Sequence, residues 1–173
     1  IVYARCQDIA GNWSDVSSYE VTNIDKIPPV ITIEPYNTQP TNQDIVVKAS
    51  VNEGTLNATS HTFTQNGSFE FVAIDPAGNV TKKVVTITNI DKIAPVEPTF
   101  SSSTTAPINK DITVEINYPS DAHVKQYKIG ESDTWKNYTE PLVFAENEIV
   151  YARCQDIAGN WSDVSSYEVT NID

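Results

Sequence analysis

Few side chains in this sequence can move a proton near neutral pH. His61 and His123 are the two histidines, and neither stands in a nucleophile-elbow or triad pattern with a serine or cysteine. The 23 carboxylates are spread over turns and outward strand positions, so no acid pair of the kind that cleaves glycosides stands out. No glycine-rich phosphate loop occurs either. The residue chemistry predicts a chain that is not an enzyme, which leaves binding and structure to be weighed.

Oxygen donors at recurring places are the first binding candidates. Asp-x-Ala-Gly-Asn occurs as Asp8 to Asn12, Asp75 to Asn79 and Asp156 to Asn160, and Asn-Ile-Asp occurs as Asn23 to Asp25, Asn89 to Asp91 and Asn171 to Asp173. If each turn lies at the pole where the preceding linker arrives, Asn23 and Asp25 approach Asp75 and Asn79, while Asn89 and Asp91 approach Asp156 and Asn160. A calcium ion takes about six to eight oxygens from carboxylates, amides and carbonyls, so these residues are calcium candidates at two junctions. The same motif also reads as a plain turn, with Asp accepting backbone N–H bonds and Gly at positive φ. Both readings stay open on the sequence, and no other cofactor is indicated.

A flat row of aromatic rings would stack on sugars, and Tyr127, Trp135, Tyr138 and Trp161 are the residues that could form one. The competing reading is core filling and hairpin packing, because a spacing of three does not place Trp135 and Tyr138 on one face of a strand. Six Asn-x-Ser/Thr sequons, among them Asn57, Asn66 and Asn137, also occur. Turn asparagines beside threonine-rich strands generate that pattern by chance.

These residues sit on a repeated scaffold. Ile1 to Asp25 recurs letter for letter as Ile149 to Asp173, an offset of 148 residues, and identity over a hairpin-sized block means tandem duplication. The linker Asn23 to Val30 recurs in near-identical form as Asn89 to Val96. These marks divide the chain into residues 1–26, the closing hairpin of a longer module; 27–92, a short module; and 93–173, a longer module.

Period-two alternation supplies the elements. Phe69, Phe71 and Ala73 face one way against Glu70, Val72 and Ile74; Val150, Ala152 and Cys154 face one way against Tyr151, Arg153 and Gln155. The Asp-x-Ala-Gly-Asn motif then joins the last two strands of each module as a hairpin turn, with one extra residue in the longer type that predicts a bulge. Further strands are predicted near Val30 to Glu34, Asp44 to Val51, His61 to Thr64, Ile112 to Asn117, Val124 to Ile129, Trp135 to Tyr138 and Leu142 to Phe144. No helix longer than a turn is predicted. The fold class expected is all-β, built of tandem small antiparallel β-sandwich modules.

Cys6 and Cys154 are one position of the repeat, so a disulfide within a module is excluded and the residue reads as a small buried apolar group. The formal charge of −12 repels nucleic acid and anionic membranes. No apolar run approaches the roughly 20 residues needed to cross a bilayer, and no signal-peptide pattern is present. With no methionine, the sequence is expected to belong to a longer polypeptide.

The stretch from His61 to Asn79, HTFTQNGSFEFVAIDPAGN, resembles the closing half of bacterial immunoglobulin-like repeats found in tandem on surface proteins. Tyr127-Lys-Ile, Trp135 to Leu142 and Val150 to Asn160 resemble a longer variant of that family. The resemblance implies an extracellular or cell-surface, non-catalytic array: a stalk or fibre whose partners are other copies of the repeat, head to tail. The alternative it leaves is an adhesin or carbohydrate-binding module in the longer sandwich, with a sugar or host protein as ligand. Short proline-bearing linkers are expected to be stiff. The hairpin Ile1 to Asp25 would leave Val2, Ala4, Cys6, Tyr19 and Val21 without a facing sheet, so it is expected to pack against strands supplied by another copy.

Overall fold

The computed structural model describes residues 1–173 and is all-β, with fifteen strands and no helix. A first hairpin is formed by β1 (Val2–Ala4) and β2 (Ser17–Tyr19). Six strands follow: β3 (Ile31–Ile33), β4 (Ile45–Val51), β5 (Thr55–Leu56), β6 (Ser60–Phe63), β7 (Gly67–Ile74) and β8 (Val80–Ile87). They form two three-stranded sheets, ordered β3-β4-β6 and β5-β7-β8. The remaining strands are β9 (Thr99–Ser102), β10 (Ile112–Asn117), β11 (Val124–Ile129), β12 (Lys136–Asn137), β13 (Leu142–Phe144), β14 (Ile149–Gln155) and β15 (Ser165–Glu168). These pair antiparallel as β13-β10-β9 and β12-β11-β14-β15.

Alternation decides which face each strand buries. In β10, Ile112, Val114 and Ile116 are buried while Thr113, Glu115 and Asn117 are exposed. In β14, Val150, Ala152 and Cys154 are fully buried. The apolar side chains of β10 and β13 meet those of β14 and Val169 in one core of Ile112, Val114, Ile116, Phe144, Val150, Ala152 and Val169. Phe100, Tyr127, Tyr138 and Tyr167 pack around it. A two-sheet sandwich with this core gives each buried aliphatic side chain about 1.5–3 kcal/mol relative to exposure. In β4 the same rule buries Ile45, Val47 and Ala49, and in β7 it buries Phe71 and Ala73.

The chain divides into two compact units. One comprises Ile1–Pro35, Val47–His61 and Phe69–Val85; the other comprises Tyr36–Val46, Thr62–Ser68 and Thr86–Asp173. Strands β4, β6, β7 and β8 are each divided between them.

The two identical 25-residue blocks take the same local form. Val2 pairs with Tyr19 and Ala4 with Ser17, as Val150 pairs with Tyr167 and Ala152 with Ser165. Isolated bridges join Gln7 to Trp13 and Gln155 to Trp161. From Gln155 to Ala152 one strand steps back three residues while its partner advances four from Trp161 to Ser165, so the second strand carries the expected extra residue. The environments differ. Val150, Ala152, Cys154 and Val169 are buried, whereas Val2, Ala4, Cys6 and Val21 are exposed.

Candidate functional site at the aspartate–asparagine turns

All three Asp-x-Ala-Gly-Asn turns close in the same way. The Asp75 N–H donates to the Asn79 carbonyl and the Gly78 N–H to the Asp75 carbonyl. The Asp75 carboxylate accepts twice from Asn79, from the backbone N–H at Oδ1 and from Nδ2 at Oδ2, both at 2.8 Å. Asp156 and Asn160 reproduce this pair at 2.8 Å each, and Asp8 and Asn12 at 2.8 and 2.9 Å. The glycines sit at φ of 95°, 89° and 98° (Gly11, Gly78 and Gly159), in the left-handed region that favours glycine.

Electrostatics follow from these bonds. Burial alone would raise the Asp75 carboxyl, but donation from Asn79 and from the Ala77 and Gly78 backbone outweighs it and holds the group below its ordinary value. Asp156 behaves alike, its burial outweighed by Asn160, Gly159 and Ala158. For the exposed Asp8, the Asn12 side chain is the leading cause of the lowering.

A carboxylate can only accept, so each asparagine must turn its NH2 toward the aspartate, and in Asn79 and Asn160 the second hydrogen of that NH2 reaches the incoming linker. Asn79 Nδ2 lies 3.3 Å from the Asp25 carbonyl and 3.5 Å from that of Ile27, within the first unit. Asn160 Nδ2 lies 3.0 Å from the Asp91 carbonyl, within the second. There the Ala158 carbonyl also accepts from the Asn42 N–H at 3.0 Å.

Of the sequence candidates, Asn79 meets the Asp25 carbonyl and Asn160 the Asp91 carbonyl. Asp75 and Asp156 use both carboxylate oxygens within the turn. Asp25 and Asp91 accept through Oδ1 from the N–H two residues on, Ile27 and Ile93. Asn89 gives its Nδ2 to the carbonyls of Asn37 and Gln39, at 3.2 and 2.7 Å. Asn23 is exposed. No group of three or more His, Cys, Asp or Glu side chains converges to hold a metal ion.

Composition and spacing did not single out the residues that anchor Asn-Ile-Asp. Asn66 clasps Ile90 through both amide atoms, and Asn147 clasps Ile172 likewise, at 2.9 Å in every case. Asn171 gives its Nδ2 to the carbonyls of Thr104 and Ala106, as Asn89 does to its own loop. The available signal was spacing: an asparagine precedes the isoleucine of each anchored Asn-Ile-Asp by 24 or 25 residues. Asn57 similarly spends both amide atoms on the Glu70 carbonyl and the Val72 N–H.

The four aromatic candidates fall on two faces. Tyr127 and Tyr138 meet edge to face and pack against the core, and the Tyr138 hydroxyl accepts from the Ile116 N–H. Trp135 and Trp161 lie on the other side, each with the Arg153 guanidinium 4.2 Å from its ring centroid. Gln126 Oε1 accepts two bonds from that guanidinium, and burial draws the Arg153 pKa down. Stacked arginine is a stabilising cap on an indole face, worth about 0.5–2 kcal/mol. His61 stacks on Phe69 at 3.9 Å, and His123 is exposed.

Comparison with known proteins returns no matching family model and no matching curated protein.

Proposed function

We propose that this chain is a non-catalytic structural repeat of an extracellular stalk or fibre, with two immunoglobulin-like modules in each 148-residue period. In this reading residues 27–92 are the short module, 93–173 the longer one, and 1–26 the closing hairpin of a longer module. One observation carries it. At both junctions the recurring turn spends its last free amide hydrogen on the carbonyl of the linker that precedes it. The most repeated motif of the sequence thus serves to join segments, and its donors are consumed in doing so.

The competing sugar-binding reading needs an open row of rings. Tyr127 and Tyr138 turn toward the core, and Arg153 covers one face each of Trp135 and Trp161, which favours the structural role.

Chains carrying two, three and four periods should show, in small-angle scattering, a maximum dimension that grows in proportion to the number of periods. A coil-like dependence would overturn the stalk. Saturable binding of the full chain on a glycan array would favour the sugar-binding alternative.

A further inference from the structure

The hairpin at Ile1 to Asp25 presents an apolar face with nothing against it. Val2 is 61% exposed, Tyr19 70% and Val21 43%, and Ala4 and Cys6 are exposed as well. In the identical block 148 residues on, Val150, Ala152 and Cys154 are 0% exposed and Val169 1%. The letters, the register of the three shared strand pairs and the turn are the same, and what separates the two copies is the covering.

The chain itself displays that covering. Val150 and Ala152 pack on Ile112, Val114, Ile116 and Phe144, and β14 pairs along its length with β11. Beyond the strands, Ile172 is clasped by Asn147 and forms a parallel bridge to Ile108. Every one of these partners lies between residues 97 and 148. Ile24, the counterpart of Ile172, is 70% exposed.

We propose that the face formed by Val2, Ala4, Cys6, Tyr19 and Val21 is a docking surface for one occupant: a further copy of the strand set 97–148 whose own hairpin place is open. The surface is preformed, because Val2 already pairs with Tyr19 and the Asp8–Asn12 turn is already closed. A two-stranded hairpin with an uncovered apolar face is marginal in water, so covering it is favourable. The occupant is not a second intact chain. There the strand set 97–148 already holds Ile149–Asp173, and exchanging one identical hairpin for another buries nothing new.

This inference rests on the reading of the chain as joined repeats, but its test reads a thiol and is blind to scattering or sugar binding. Cys6 is exposed and Cys154 buried, and the segment 97–148 contains no cysteine. In the intact chain a water-soluble aromatic disulfide should label Cys6 quickly and Cys154 slowly, since burial also raises the Cys154 thiol. The decisive protein carries a copy of residues 97–148 joined directly before Ile1.

In that extended chain, labelling of Cys6 should slow by at least about 100-fold, toward the rate of Cys154. An opening free energy of ~2.8 kcal/mol suffices for that factor. Ala4→Asp in the extended chain buries a carboxylate at the counterpart of Ala152. It should restore fast labelling at Cys6 and leave Cys154 slow.

Unchanged Cys6 labelling in the extended chain overturns the proposal. So does protection that survives Ala4→Asp, since another surface would then be responsible. Protection of Cys6 in the intact chain as its concentration rises would mean that a second intact copy is the occupant, and this too would overturn it.

Discussion

Replacing Val150 by alanine and, separately, Val2 by alanine makes one covalent change in two identical stretches of sequence. Each substitution removes two methyl-sized groups, worth about 0.8 kcal/mol apiece in transfer from water. Val150 is 0% exposed in a core with Val114 and Phe144, so the full transfer loss applies and an unfilled cavity adds to it. The expected cost is about 2–3 kcal/mol. Val2 is 61% exposed, which leaves roughly 0.5 kcal/mol and no cavity. Urea unfolding followed by tryptophan fluorescence reads Trp135 and Trp161, which flank the sheet that contains Val150, and Trp13, which lies in the hairpin that contains Val2. The midpoint should fall by about 1 M for Val150→Ala and stay within about 0.3 M for Val2→Ala, at a urea slope of ~2–3 kcal/mol/M. Equal shifts, or a larger shift for Val2→Ala, would refute the argument that burial is what separates the two copies.

Glycine positions offer a second contrast: a Cβ at Gly54 would lie 2.2 Å from the Ile74 carbonyl oxygen, whereas one at Gly78 meets nothing within 4 Å. Thermal unfolding should show Gly54→Ala costing about 3 kcal/mol or more and Gly78→Ala, at φ +89°, only about 1–2 kcal/mol. The lowered carboxyls of Asp75 and Asp156 stabilise the fold fully above the ordinary value of 3.8 and lose that contribution as pH falls through their lower native values. The melting temperature should therefore drop on acidification below about pH 4, and Asp156→Asn should flatten part of that slope; a flat or rising profile in the parent would contradict it. Because both oxygens of Asp75 and of Asp156 accept hydrogen bonds from asparagine, chelation of divalent cations should leave the melting temperature unchanged; a fall on chelation that calcium reverses would favour the metal reading.

Alternation made the strand faces legible before any coordinate. Val150, Ala152 and Cys154 were readable as one face because no turn residue interrupts them, and Phe71 and Ala73 likewise. The short strand β9 was not readable, since Thr-Phe-Ser-Ser gives one apolar residue and no period. The strand expected over Trp135 to Tyr138 is reduced to Lys136–Asn137, the two residues that pair with Tyr127 and Gln126. At the junctions the sequence placed Asp25 toward Asn79 and Asp91 toward Asn160 but could not say which atoms face inward. That depends on each asparagine having to meet a carboxylate with its NH2, and on partners such as Asn66 and Asn147 that lie far away in the chain. Burial of the hairpin was beyond local sequence altogether, as the two identical copies demonstrate.

The contacts from Asn79 and Asn160 end on main-chain carbonyls, and a carbonyl is available at every position of any polypeptide. The two linkers differ at one position, Pro28 against Ala94, and the equivalent carbonyls of Asp25 and Asp91 are met at both. A fastening made to the backbone asks little of the side chain at the position it meets. Unequal recombination at the linkers can then change copy number, or exchange one block for another, without a new interface having to evolve. The letter-for-letter recurrence at 148 residues is the pattern such an exchange would leave.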